Sequence, residues 1–193
     1  PACAEGLAGY LSLRGRGRPL VTLKLALSLD GRIAAASGES QWITGPEARA
    51  HCHAMRARHD AILVGGGTLR ADAPRLDVRL PGLEARSPAR WVLTHGHAPS
   101  GWQALPAPEA ISAMADTQTL FVEGGAGAAS AFLRAGLVDR LLLYRAPILI
   151  GGGQPCLGDI GLASLAQAHG QWQRQHGGQL GKDQFEVYRR IES

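Results

Sequence analysis

An α/β fold on a mainly parallel sheet is what three features of this sequence predict. Short apolar runs without polar alternation recur along the chain, as in strands buried on both faces. Glycine-rich turns follow several of these runs and lead toward helical stretches. Near the C-terminus QFEVY (184–188) alternates instead, as a half-exposed strand does. Strands interleaved with about two clear helices therefore give a sheet that is parallel except at an antiparallel C-terminal end.

The totals agree with one globular domain. The 193 residues are 45% hydrophobic and 19% charged, enough to bury a full core and too apolar for disorder. No run approaches the roughly 20 apolar residues of a membrane span, and the N-terminus has no apolar signal core, so a cytoplasmic chain is expected. Cys3, Cys52 and Cys156 show no paired spacing, which fits a reducing compartment and argues against a disulfide scaffold or a zinc site. A net charge of +4 and a pI near 9.4 call for an anionic partner. The basic residues are scattered without interleaved aromatics, which favours a small phosphorylated ligand over nucleic acid.

Residues 1–19 hold Gly6, Gly9, Gly15 and Gly17 with Arg14, Arg16 and Arg18 just before Pro19. They read as an arm or interdomain linker ahead of a domain over 20–193. That fits the tail of a longer chain; Pro1 fits equally with loss of an initiator methionine.

The stretch 21–47 organises the rest. Residues 21–27, VTLKLAL, form a central strand in which Lys24 is the anomaly, because a buried ammonium needs an anion or a cleft. Asp30-Gly31 turns the chain, and 34–40 is a loop of small residues open to close ligand approach. Trp42 offers a flat wall. Thr44, Pro46 and Glu47 read as a capping box with Thr44 as N-cap, opening a helix over about 45–58. On it Ala48, Cys52 and Met55 form one stripe and Arg49, His53 and Arg56 another. The basic stripe could bind an anion, though for Arg49 and His53 a solvated face is the plainer reading. His51-Cys52-His53 does not make a metal site, since residues two apart on a helix diverge.

Residues 61–64 form a buried strand ended by Gly65-Gly66-Gly67, and 68–79 reads as a polar loop. A strand over 90–94 follows, then a loose connection over 95–116 with a short helix near 109–114. Residues 120–122 return to buried strand, and Glu123 with its glycine turn leads into a helix over 128–135 stopped by Gly136. A strand, a glycine turn and a helix N-terminus make a phosphate site. Residues 125–130 approximate a dinucleotide fingerprint but end in Ser130 and open no early βαβ unit, so a standard Rossmann domain is not expected. Residues 138–150 supply another strand, and 154–182 are a lid or an inert loop.

Three ordered blocks resemble one family. LKLALSLDGRIAAASGESQWIT, VGGGTLRADAPRLDVR and FVEGGAGAASAFLRAGLVDRLLLYRAP are similar to the reductase domain of the bifunctional riboflavin-biosynthesis deaminase/reductase. The resemblance implies a three-layer fold like dihydrofolate reductase. It implies NADPH-dependent reduction of the opened ribose of 5-amino-6-(5-phosphoribosylamino)uracil to the ribityl product. By position, Ser40, Arg56, Leu76, Arg79 and Glu123 match the family's substrate contacts, with Arg56 and Arg79 suited to clamp the phosphate bidentately. Ala26, Trp42, Thr68, Asp72 and the turn Gly125, Ala126, Gly127, Ala128 and Ser130 match its NADPH contacts. Lys24 and Glu123 are the candidates for orienting the sugar and polarising its carbonyl or imine, Lys24 as proton donor.

Two departures stand out. Asp72-Ala73 replaces two consecutive acids, and Thr94-His95 replaces Asp-Ser near the adenosine phosphate, so the preference for NADPH is inherited from the family. The zinc deaminase signature is absent, and a fused deaminase is expected, if anywhere, in a longer parent chain. The rival readings are a reductase of the non-deaminated pyrimidine, another dihydrofolate-reductase-like enzyme, and a basic nucleic-acid-binding module. Sheet edges make a homodimer the expected assembly.

Overall fold

The apolar runs assemble as predicted into one sheet covered on both faces. The computed structural model describes residues 6–114 and 116–191; Pro1 and Cys3 lie outside them. The strands are β1 (Leu20–Leu27), β2 (Arg32–Ala34), β3 (Ala61–Gly65), β4 (Ala89–Leu93), β5 (Gln103–Leu105), β6 (Thr119–Val122), β7 (Arg140–Arg145), β8 (Gln154–Pro155), β9 (Trp172–Leu180) and β10 (Asp183–Arg190). The α-helices are α1 (Ala8–Arg16), α2 (Pro46–Arg56), α3 (Gly66–Asp72) and α4 (Ala126–Arg134).

Eight strands form the main sheet in the order β5-β4-β3-β6-β1-β7-β10-β9, and β2 pairs with β8 apart from it. From β5 to β7 the pairings are parallel, whereas β10 runs antiparallel to both β7 and β9. β1 is central, with Leu23 opposite Val122 on one side and Leu141 on the other. Its period of two divides the core. Val21, Leu23, Leu25 and Leu27 pack with Ala129 and Phe132 of α4, while Ala26 faces the cluster of Ala48 and Cys52 of α2 with Ile62, Val64, Phe121 and Tyr144. Lys24 shares this second face, so the misfit in the strand points toward α2.

Three local expectations are corrected, and one stretch left open is filled in. α2 begins at Pro46 with Gly45 as N-cap and no side-chain cap from Thr44. Thr44 is buried, and the Gly45 amide instead donates to Asp183 Oδ2 at 2.6 Å. Part of the expected loop after β3 is helical, because Gly65 is extended (φ −73°, ψ 152°) and Gly66 already enters α3. Residues 8–16, read as part of an arm, form α1, which glycine permits by close approach. A Cβ at Gly9 would lie 2.7 Å from Thr119 Cγ2. Ser12 Oγ donates to the Arg18 carbonyl at 3.0 Å, and Arg18 holds Asp139 with both Nη atoms at 2.8 and 2.9 Å. Finally, residues 154–182 contain β8 and β9, whose polar and glycine-rich sequence hides a strand paired with β10.

The turn after β1 is fixed by Asp30. Its carboxylate accepts from Ser28 Oγ at 2.6 Å and from the Ile150 and Gly151 amides at 3.1 and 2.8 Å. Those hydrogen bonds, Ser28 foremost, hold it at about 2. No described helix is long and apolar enough to cross a membrane.

Candidate active site

A cavity of about 480 Å³ opens over the C-terminal ends of β1, β3 and β6, the usual position for a ligand site in a parallel sheet. The loop over 38–44, α2, α3 from Gly67 to Asp72, and the first residues of α4 close its sides. Buried strands deliver chargeable residues to its floor. Lys24 comes from the middle of β1, and Glu123 follows β6, anchored by its amide donating to the Leu63 carbonyl at 2.9 Å.

Glu123 is the centre of a polar cluster, its side chain 4% exposed. Oε2 accepts from Arg56 Nη2 at 2.6 Å and Nε at 3.1 Å. Oε1 accepts from the Cys52 thiol and lies 3.7 Å from Lys24 Nζ. Burial alone would raise the Glu123 pKa, yet Lys24, Arg56 and the hydrogen bonds from Arg56 and Cys52 together hold it below the usual 4.5. The group is therefore an ionised acceptor. Burial, with Glu123 beside it, pushes the Cys52 thiol up to about 12, so the sulfur stays protonated and donates. Lys24 Nζ also sits 5.9 Å from the centroid of the Tyr144 ring, whose hydroxyl is 2.7 Å from His51 Nδ1.

Most residues singled out from the sequence converge here. Lys24, Ala26, Ser40, Trp42, Arg56, Thr68, Asp72, Arg79, Glu123, Gly125, Ala126, Gly127 and Ala128 all line the cavity. Leu76 and Ser130 do not. Leu76 is 4% exposed and packs in the α2-side core; Ser130 is buried and its Oγ accepts the Gly158 amide at 2.8 Å. The bidentate phosphate clamp expected of Arg56 is also altered, because its Nε/Nη2 fork is closed on Glu123 and Nη1 donates to the Asp77 carbonyl at 2.9 Å. Only the end of that guanidinium is left for a ligand.

Several lining residues were not read from the sequence as functional. Ala48 and Cys52 belong to a stripe that reads as core, and Tyr144 sits in an apolar strand. Arg49 and His53, read as a solvated face, also line the cavity. Their signal was present: four and three residues apart, they share a stripe with Arg56. The Arg49 guanidinium stacks 4.6 Å from the Trp42 centroid, and its Nη1 donates to the Thr44 carbonyl at 2.7 Å.

The cavity also offers an anion cradle. Gly125 caps α4, and Gly125, Ala126 and Gly127 line the wall at its N-terminus, where amides and helix dipole coincide. A Cβ at Gly127 or at Gly67 would meet no atom within 4 Å, so open space faces the backbone there.

Residues 19–182 match the RibD C-terminal domain family. The chain belongs to that family. A riboflavin biosynthesis protein RibD of Mycobacterium tuberculosis is 40% identical over 184 residues, which cover 88% of this chain and 54% of that protein. This chain thus spans about half the length of the curated RibD relatives it matches. The RibD of Acinetobacter baumannii superposes with a TM-score of 0.86 at 28% identity, covering 98% of this chain and 63% of that one. The riboflavin biosynthesis reductase Rib7 of Saccharomyces cerevisia shares the fold, with a TM-score of 0.64 at 19% identity over 99% of this chain and 100% of that one.

Proposed function

We propose that this RibD C-terminal domain reduces the opened ribose of 5-amino-6-(5-phosphoribosylamino)uracil, with NADPH as hydride donor, to the ribityl product of riboflavin biosynthesis. The observation that carries the reading is the Lys24–Glu123–Arg56 cluster on the floor of a cavity whose wall is the α4 cradle. NADPH, when bound, supplies the hydride. Amides at Gly125, Ala126 and Gly127 would hold its pyrophosphate, and Trp42, Thr68, Asp72 and Ala26, which line the same cavity, would supply its other contacts.

Reduction of the aldehyde or imine carbon also requires a proton at the heteroatom that gains charge. Glu123 is held ionised and cannot donate it. Its task is to orient the sugar hydroxyls and to anchor Lys24, whose ammonium delivers the proton and polarises the double bond. Ser40 and Arg79 contact the substrate from the rim. Leu76 acts from the core by shaping the chain ahead of Arg79, since its backbone takes a positive φ of 53°. The working unit is a homodimer, and a fused deaminase precedes this domain in bifunctional relatives.

Steady-state turnover with the deaminated and the aminated phosphoribosyl pyrimidine, each with NADPH and with NADH, tests the reading. Preference for the deaminated compound with NADPH supports it. Preference for the aminated compound reassigns the substrate while keeping the chemistry.

A further inference from the structure

Where α2 meets residues 75–79, the cavity wall is lined by His53 and by the guanidinium-bearing side chains of Arg56 and Arg79. The Asp77 carboxylate there is already engaged by Arg75 at 2.7 Å and Arg79 at 3.4 Å. Arg56 has committed its fork to Glu123. A phosphate dianion arriving at this wall therefore needs a further donor beyond Arg79 and the end of Arg56.

His53 is arranged to be that donor. Its Nδ1 accepts the Arg79 amide at 3.2 Å, and the Asp77 carbonyl lies 3.1 Å from the same nitrogen. An amide N–H can only donate, so the contact with Arg79 is made by the neutral tautomer that carries its proton on Nε2. Among the described residues nothing takes that proton. A second proton, on Nδ1, would donate to the Asp77 carbonyl and displace the Arg79 amide from that nitrogen.

We propose that His53 is a ligand of the substrate phosphate, donating Nε2–H and taking up a proton as the dianion binds. The inference rests on the reductase reading, which supplies the phosphorylated sugar. The charged groups around the ring support the proton uptake. Burial, Arg56 and Arg79 hold free His53 below the usual 6.5, outweighing the Asp77 carbonyl and Glu123, so the ring waits neutral and a dianion reverses the balance.

Calorimetric titration of the full chain with ribose 5-phosphate, and with ribose as control, tests this without turnover. Runs at pH about 7, in buffers of different ionisation enthalpy, read the linked protons. Wild type is expected to bind ribose 5-phosphate well above ribose and with net proton uptake relative to His53→Gln. The variant is expected to bind it about 10-fold or more weakly while keeping NADPH affinity, which reports an intact fold. Equal affinity in variant and wild type, equal proton linkage, or no preference for the phosphorylated sugar in wild type would each overturn the proposal. The reductase reading stands or falls separately on turnover of the pyrimidine.

Discussion

Glu123 has lost its water and received two cations and a thiol in exchange, which ties the cavity floor together. Glu123→Gln leaves Lys24 and Arg56 facing each other unneutralised. It is expected to cost about 3–5 kcal/mol in urea unfolding and to abolish measurable turnover; a variant of normal stability would show that the cluster is not what fixes this wall. Lys24→Met should lose about 100-fold or more in kcat, and near-normal turnover would remove its role as proton donor. Acid stability is set in part by two buried side chains, His59 and Glu123. Burial holds His59, whose ring nitrogens face the Met55 carbonyl at 2.7 Å and Thr22 Oγ1 at 3.1 Å, below the usual 6.5. The unfolded chain therefore binds this proton first, and stability falls as pH drops below 6.5 toward the folded pKa. Glu123, depressed below 4.5, adds a second loss as pH falls through its folded pKa. Urea midpoints at pH about 7.5 and about 5.5 check the first stage; His59→Gln should show a smaller drop, and an equal drop contradicts the assignment. Lys24 and Glu123 were legible in the sequence because charge interrupts apolar runs. Cys52 and Tyr144 were not, since an apolar stripe looks the same whether it faces core or cavity.

At the scale of elements, the turn between β6 and α4 depends on contact distance. A Cβ on Gly124 would lie 2.7 Å from Val64 Cα and 2.8 Å from the Gly65 amide nitrogen. Gly124→Ala must therefore push β3 and β6 apart just where they deliver the cavity floor, at an expected cost of about 1–3 kcal/mol or more with weakened NADPH binding. An unperturbed variant by both measures would mean that this approach is not structural. Ala73 ends α3 at φ 40°, a left-handed conformation costing a non-glycine residue roughly 1 kcal/mol. Ala73→Gly should raise the melting temperature, and a fall would contradict that reading. Strands β1, β3, β4, β6, β7 and β10 were legible as apolar or alternating runs. Helix α3 was hidden behind three glycines that resemble a loop, and α1 behind a glycine-rich stretch in which Gly9 serves close packing on the end of β6. Strand β9 was hidden because it lies almost wholly exposed, leaving no buried face to impose alternation.

For the molecule as a whole, sequence pattern specified the parallel sheet and its antiparallel end, while the long-range packing that closes the cavity could not be read locally. Arg56 reaches Glu123 across 67 residues, and Asp183 meets the start of α2 across 138. Among the described residues, the outer strands β5 and β9 each pair on one side only. If edge pairing joins two copies, light scattering gives a particle of twice the 20.3 kDa chain mass; a mass of one chain at micromolar concentration contradicts the dimer. The most direct test of the central claim is NADPH oxidation by the purified chain, followed at the nicotinamide absorbance, with 5-amino-6-(5-phosphoribosylamino)uracil as substrate. Saturable turnover giving the ribityl product is predicted, and it should fall about 100-fold or more in Lys24→Met. Tight NADPH binding without any reduction of this compound would contradict the assignment of substrate and reaction.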